Sequence, residues 1–184
     1  VMIIFDAILA TIRAAGGSIT GRTAIQKLMY FENVSKLVEI KYRPHYYGPY
    51  SAEVAGAIQE LIDLDFLKEE IETAKTTGFP VSDDWKRYRY TLTSDGNKVV
   101  EHIKQESEAE INKISNLVRT CQETVNLDAN MLSCAAKVYY INSSQSKPMT
   151  VNEIQKTAGS FGWNLSEDQI NGAVDLLWQL YSVK

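Results

Sequence analysis

The sequence predicts an α+β protein that is mostly α-helical. Apolar residues recur at three- and four-residue spacing over most of the chain, which is typical of amphipathic helices. Residues 67–73 and 85–92 instead have the character of strands on either side of a polar loop. With 184 residues, of which 45% are hydrophobic and 23% charged, the chain can bury a core of its own.

Two helices and a short extended piece open the chain. Apolar side chains at helical spacing predict the first helix over residues 3–14, and a pair of glycines ends it. The second helix follows at residues 22–38. We expect its apolar face to point into the core and its polar side chains to stay in solvent. Those polar side chains include Arg22, Gln26 and Lys27.

An aromatic-rich strand is predicted at residues 39–47, where a Gly-Pro pair ends it. Ser51 stands where an N-cap is needed and opens a third helix. The strands at 67–73 and 85–92 then form a hairpin with a long tip. Helix, short strand, helix, helix and two-stranded hairpin is the element order of a winged helix.

Three parts are predicted along the chain: a winged-helix domain at 1–93, a long connecting helix at 94–126 and a C-terminal helical domain at 127–184. The C-terminal part contains three helices, two of which begin with capping motifs at Thr150 and Ser166. Their order is consistent with a degenerate helix-turn-helix that lacks a wing.

The connecting helix carries a narrow apolar stripe, formed by Ile111, Ile114, Val118, Cys121 and Val125. Steps of three and four residues are typical of a helix that pairs with another helix. Either the C-terminal helices or a second copy of the chain must cover this stripe. We predict a homodimer, because winged-helix regulators often pair through a helix beyond the wing.

Composition limits the kinds of function. A net charge of −4 argues against indiscriminate nucleic-acid binding. Basic residues are nevertheless concentrated locally, with six against two acidic residues over 13–49 and four against one over 85–100. The two cysteines have no metal-binding or redox spacing, so we expect buried thiols and neither metal nor cofactor. Without a secretory signal or a long apolar run, a cytoplasmic protein with no membrane partner is expected.

The sequence contains no recognisable catalytic constellation. His45 and His102 are isolated from each other, and the glycines at 16 and 17 lack the lysine of a phosphate-binding loop. Paired acidic residues lie on strand or loop edges that we expect to be solvated. We therefore predict a binding protein and not an enzyme, with no evident small-molecule substrate.

Two surfaces are candidates for binding. Phosphate contacts to DNA would come from Arg22, Lys27, Arg43, Lys86, Arg87 and Arg89. The third helix suits base recognition poorly, because its opening offers one glutamine, two glutamates and no basic residue. A protein partner would instead meet the insert between the second and third helices, through Tyr42, Tyr46, Tyr47 and Tyr50. The same rings could also pack against the rest of the fold.

The segment GRTAIQKLMYF at 21–31, followed by YGPYS at 47–51, resembles the YwgA-like and Panacea-like winged-helix proteins, which include SocA-type antitoxins. That family carries a KLQKLxYF-type helix and an extended segment closing in YGP. The counterparts here are 24–31 and 46–50, with a departure at Thr23 and Ala24 and a YwgA-type continuation after Tyr50. The resemblance covers residues 1–95 and implies a winged helix that binds proteins, as antitoxins and protease adaptors do, without catalysis.

The two lines of reasoning favour different partners. The family motif favours a protein-interaction module, either an antitoxin or a proteolytic adaptor, that uses the Tyr-rich insert. The frequency of winged helices among small DNA-binding regulators favours DNA. We predict a DNA-linked transcriptional regulator, with the protein-interaction module as the alternative.

Overall fold

The computed structural model describes residues 1–74 and 85–182, with side chains at 1–71 and 87–182. This part of the chain contains eight helices and two small antiparallel sheets, so the predicted α+β, mostly α class is confirmed. The helices are α1 (Ile4–Ala14), α2 (Arg22–Val34), α3 (Ala52–Asp63), α4 (Ser94–Glu106), α5 (Glu108–Val125), α6 (Ala129–Ser143), α7 (Val151–Ser160) and α8 (Glu167–Tyr181). The strands are β1 (Ser18–Thr20), β2 (Arg43–His45), β3 (Gly48–Tyr50), β4 (Leu67–Ala74) and β5 (Trp85–Leu92).

The larger sheet has the order β1-β5-β4. Strands β4 and β5 pair antiparallel from Leu67 opposite Leu92 to Ala74 opposite Trp85, which confirms the predicted hairpin. Strand β1 adds to the other edge of β5, with Ile19 opposite the buried Tyr90. The predicted order of helix, short strand, helix, helix and hairpin is therefore present, interrupted by an additional small sheet.

That additional sheet corrects the strand predicted at 39–47. The chain instead forms a hairpin of β2 and β3, in which Pro44 lies opposite Pro49 and Gly48 begins the second strand. Both strands are edge strands, where a proline without an N–H is tolerated. Gly48 has φ +98, a conformation that glycine adopts readily. We call residues 43–50 the tyrosine hairpin.

Two helices stand where one connecting helix was predicted over 94–126. Helices α4 and α5 meet at Ser107, whose φ of −137 and ψ of 44 are not helical. The neighbouring residues 105–108 have no apolar side chain with which to hold a continuous helix on the core. Helix α2 is also shorter than expected, ending at Val34.

The apolar stripe of α5 is covered within the chain. Ile111, Ile114, Val118 and Cys121 are buried, and α5 packs against α1, α2 and α8. The stripe therefore gives no reason to invoke a second copy, and the homodimer stays a prediction. Cys121 and Cys134 are buried free thiols, as predicted.

A single cluster of buried apolar residues extends from Met2 to Leu176. Helix α6 joins the two halves of the chain, because it packs against α2, α8 and β3. The capping boxes predicted at Thr150 and Ser166 are both formed. Within residues 1–74 and 85–182, no helix combines the length and the apolar character that crossing a membrane requires.

Candidate functional site

Two polar residues of α2 hold the YGPYS segment in place. The Gln26 amide donates from Nε2 to the Ser51 carbonyl oxygen at 2.9 Å and accepts from the Ser51 N–H at 3.0 Å. The Lys27 amino group donates to the Pro49 carbonyl oxygen at 2.6 Å. Both side chains are buried, Lys27 being only 1% exposed.

The expectation that Gln26 and Lys27 stay in solvent is therefore wrong. The cause is the tyrosine hairpin, which folds over α2 and brings backbone groups that need hydrogen-bond partners once they are buried. Burial also removes Lys27 from the surface on which it was predicted to contact phosphates.

We expect Gln26→Ala to lower the free energy of unfolding by about 2 kcal/mol, because it leaves the buried N–H of Ser51 without a partner and leaves its carbonyl oxygen with only the Ala55 N–H at 3.3 Å. Chemical denaturation followed by circular dichroism measures this loss. Gln59→Ala is the matched control, since the exposed Gln59 donates to the Asp63 carboxylate on its own helix. The control should change stability by less than about 0.5 kcal/mol. Equal effects would contradict the role assigned to Gln26.

The Lys27 amino group is in an environment that disfavours its charged form. Burial, reinforced by the nearby Lys137 ammonium, lowers the pKa of Lys27 to about 7. Both lysines lie against the backbone of Gly48, where an added Cβ would come within 3.1 Å of Lys137 Cγ and 3.6 Å of Lys27 Nζ. A side chain at position 48 would therefore strain the left-handed backbone of the hairpin and press on the side chain of Lys137.

A cleft of about 260 Å³ opens between α2, α3, the tyrosine hairpin and the larger sheet. Its lining combines aromatic rings with charged groups, among them Tyr47, Tyr50, Tyr90, Arg22, Lys27 and Glu69. Arg22 is fixed at this cleft, since Nε donates to the Tyr90 hydroxyl at 2.5 Å and Nη2 to Glu69 at 3.0 Å. Those two hydrogen bonds raise the pKa of Arg22, so its charge is permanent.

The remaining basic candidates lie apart from the cleft lining. Arg43 is exposed in β2, where it pairs across the hairpin with Tyr50. Arg87 and Arg89 are exposed on β5, and Arg89 donates to the Ser18 hydroxyl at 2.8 Å. Lys86 is also in β5, but its side chain lies outside the described residues. The structure thus brings Arg22 and Lys27 to one site and places Arg87 with Arg89 at another.

The predicted tyrosines separate into two groups. Tyr46 and Tyr47 are 72% and 55% exposed at the turn of the hairpin, with their rings edge to face at 4.9 Å. Tyr50 is exposed on the cleft side of β3. Tyr42 instead packs edge-on against Tyr30 at 5.0 Å, and its hydroxyl is buried. Tyr42 is therefore half-buried and packs against the core, so it is not one of the exposed rings of the hairpin.

The C-terminal half also holds the tyrosine hairpin in place. Trp163 Nε1 donates to the His45 carbonyl oxygen at 2.7 Å. The same indole ring stacks on Phe161 at 4.8 Å, and Lys137 Nζ lies 5.7 Å from its centroid. The hairpin is therefore held between two parts of the chain that are distant in sequence.

A buried carboxyl group lies on the core-facing side of α2. Its position on the apolar face of the helix is the signal in the sequence that indicates its burial. Glu32 is fully buried, and Thr11 Oγ1 lies 2.5 Å from Glu32 Oε1 and 2.6 Å from the Ala7 carbonyl oxygen. A hydroxyl has one hydrogen, so donation to Ala7 leaves the short contact to be made by a proton on Glu32. Burial accordingly raises the pKa of Glu32 to about 8.

Among the described residues, no group of histidine, cysteine, aspartate and glutamate side chains is placed to hold a metal ion. No family model matches the chain. Over 90 residues the chain is 38% identical to the protein of Bacillus subtilis (strain 168) named "Uncharacterized protein YwgA". The match covers 47% of this chain and 48% of YwgA, so the chain spans about half the length of this relative. The similarity supports the YwgA-like relationship for about half the chain.

Proposed function

We propose that this chain is a protein-binding module whose contact surface is the tyrosine hairpin and the cleft beside it. The observation that carries the proposal is the exposure of Tyr46, Tyr47 and Tyr50 on one short hairpin. Tyrosine offers a large contact area at a small entropic cost and is enriched in protein interfaces. The resemblance to a family that includes antitoxins and protease adaptors favours the same class of partner.

The fixed position of the hairpin supports the proposal. Gln26 and Lys27 of α2 bind its C-terminal end, while Trp163 from the C-terminal half binds the His45 carbonyl oxygen. A surface that is already held in its binding conformation loses little conformational entropy when a partner docks. The exposed rings therefore have the rigidity expected of interface anchors.

Charge favours a protein partner over DNA at this surface. In the winged-helix arrangement α3 would face the DNA, yet Glu53, Glu60 and Asp63 are exposed on it. Lys27 is buried, and Arg22 is held at the cleft by its hydrogen bond to Glu69, so neither stands on the face of α3. Phosphates approaching α3 would meet carboxylates at close range.

We expect the double variant Tyr46→Ser, Tyr47→Ser to weaken partner binding at least tenfold, as loss of interface anchors does. The immobilised chain would be used to capture partners from an extract, and each partner would then be purified and titrated by calorimetry. Trp178→Ser is the matched control, because Trp178 is 68% exposed on α8, away from the hairpin. Binding that survives the tyrosine changes, or is lost only in Trp178→Ser, would contradict the proposal.

DNA binding is a second candidate, favoured by one observation. Arg87 and Arg89 are exposed two residues apart on β5 and so project from the same face of the strand. Phosphate contacts there would give sequence-independent binding that weakens steeply with salt, and Arg87→Ala would make the salt dependence shallower. A duplex titration at low salt that shows no binding removes this candidate.

A further inference from the structure

The Lys27 amino group has hydrogen-bonding capacity that the fold does not use. An ammonium has three N–H donors, and among residues 1–74 and 85–182 only the Pro49 carbonyl oxygen accepts from Lys27. Lys27 nevertheless lines the cleft, together with the permanently charged Arg22. A buried amine with unfilled donors at a cleft is placed to meet an acceptor supplied from outside.

The charges that line the cleft favour an anion. Arg22 and Lys27 contribute positive charge, and Glu69 is the acidic residue of the lining. Glu69 is already engaged by Arg22 Nη2 at 3.0 Å, which leaves Lys27 without a counter-ion in the cleft. Apolar side chains stand beside these groups, among them Ala55 and Ile58 of α3 and the ring of Tyr50. The lining therefore suits a ligand that joins an anionic group to an apolar one.

We propose that the cleft captures the C-terminal residue of the partner protein, with its carboxylate at Lys27 and Arg22 and its side chain against Ile58 and Tyr50. This inference rests on the proposed function, since it supplies the anchor for the partner that docks on the tyrosine hairpin. A chain terminus carries a carboxylate and an apolar side chain on one residue, and 260 Å³ has room for one residue but not for a chain that passes through.

Three matched dipeptides test the inference on the purified chain. Ac-Asn-Phe-OH has a terminal carboxylate, Ac-Asp-Phe-NH2 has a side-chain carboxylate, and Ac-Asn-Phe-NH2 has neither. We expect the first to bind with a dissociation constant of about 1 mM or below and at least tenfold more tightly than the other two, as measured by NMR titration. Comparable binding of all three, preference for the aspartyl peptide, or no binding at about 10 mM would overturn the inference.

A pair of arginine variants locates the carboxylate. Arg22→Gln should weaken Ac-Asn-Phe-OH at least fivefold and leave the weak binding of its amide unchanged. Arg43→Gln removes an exposed arginine of the tyrosine hairpin that does not line the cleft. It should change the affinity for neither the acid nor the amide. Equal losses in the two variants would point to general attraction between charges and overturn the placement.

The pH dependence gives a second readout that does not require a Lys27 variant to fold. A carboxylate at Lys27 favours the ammonium, so affinity for the acid should fall by up to tenfold per pH unit above about 7, while the amide stays level. The charged or titratable groups that share the cleft or lie close to Lys27 are Arg22, His45, Tyr47, Tyr50, Glu69, Tyr90 and Lys137. His45→Gln should retain the fall, and its disappearance in that variant would assign the proton to His45.

The two proposals can fail separately. If the tyrosine double variant loses partner binding but the original chain binds none of the three dipeptides, the terminal anchor is removed and the tyrosine interface remains. If Ac-Asn-Phe-OH binds as expected but the tyrosine double variant keeps its full affinity for the partner, the tyrosine interface is removed and the terminal anchor remains.

Discussion

Replacing Gly96 with alanine is expected to lower the free energy of unfolding by about 3 kcal/mol or more. A Cβ at this position in α4 would lie 2.2 Å from the Phe66 carbonyl oxygen and 3.2 Å from its carbon. That carbonyl cannot simply move aside, because it accepts from the Thr93 N–H at 3.1 Å. The Thr93 hydroxyl also donates to the backbone carbonyl oxygen of Asp65 at 2.6 Å. Urea denaturation followed by circular dichroism measures the loss.

Gly56→Ala is the matched control for this change. Gly56 lies inside α3, is exposed, and has no atom within 4 Å of an added Cβ. Alanine is favoured over glycine in a helix by about 0.8–1 kcal/mol, so this variant should be more stable than the original. The same substitution should thus have opposite signs in two helices. A neutral Gly96→Ala would mean that α4 does not pack against Phe66 as closely as described.

We expect stability to fall between pH 5 and 7 because of Glu32. Its pKa is about 8 in the folded chain and near 4.5 when unfolded, so the folded state binds more protons in this range. The contribution of Glu32 to stability is then greatest at low pH. It falls by about 2–3 kcal/mol between pH 5 and pH 7, as this carboxyl ionises in the unfolded chain. Lys27 loses part of its proton in the folded chain only near pH 7, which raises stability by about 0.4 kcal/mol at most and leaves the larger Glu32 effect visible.

Glu32→Gln keeps the shape of the side chain and cannot ionise. Its unfolding free energy should therefore rise relative to the original by about 2–3 kcal/mol from pH 5 to pH 7. Glu60→Gln, at an exposed position of α3, should leave the pH dependence as it was. Denaturation curves at several pH values make the comparison, and parallel pH profiles for the original chain and Glu32→Gln would refute a neutral Glu32.

Local patterns were sufficient for most of the helices and for the larger hairpin. The caps at Ser51, Thr150 and Ser166 and the pairing of β4 with β5 depend on neighbours in sequence, and all were predicted. The break between α4 and α5 was visible only as a stretch of four residues without an apolar side chain. A weak stretch shows where a helix can break, but packing decides whether it does.

The cleft could not be predicted, because its polar contacts join distant residues. Gln26 bonds to Ser51 across 25 positions, and Trp163 reaches His45 across 118. A lysine or glutamine on an amphipathic helix is ordinarily solvated, and only the backbone that folds over α2 makes burial favourable. Arg22 and Lys27 were predicted as phosphate contacts because they are basic. In the structure both line a cleft and do not lie together on an open surface.

Because the Trp163 indole donates to the His45 carbonyl oxygen, the position of the tyrosine hairpin depends on both halves of the chain. The resemblance to YwgA-like proteins rests on residues 1–95, yet the hydrogen bond that fixes His45 comes from beyond α7. A fragment cut at residue 95 would retain the YGPYS motif but lose the support on one side of it, together with Lys137 behind Gly48. The tyrosine hairpin is therefore not a segment that can be transplanted alone. Whatever loosens the C-terminal helices is expected to loosen the tyrosines as well, although no residue of the motif has changed.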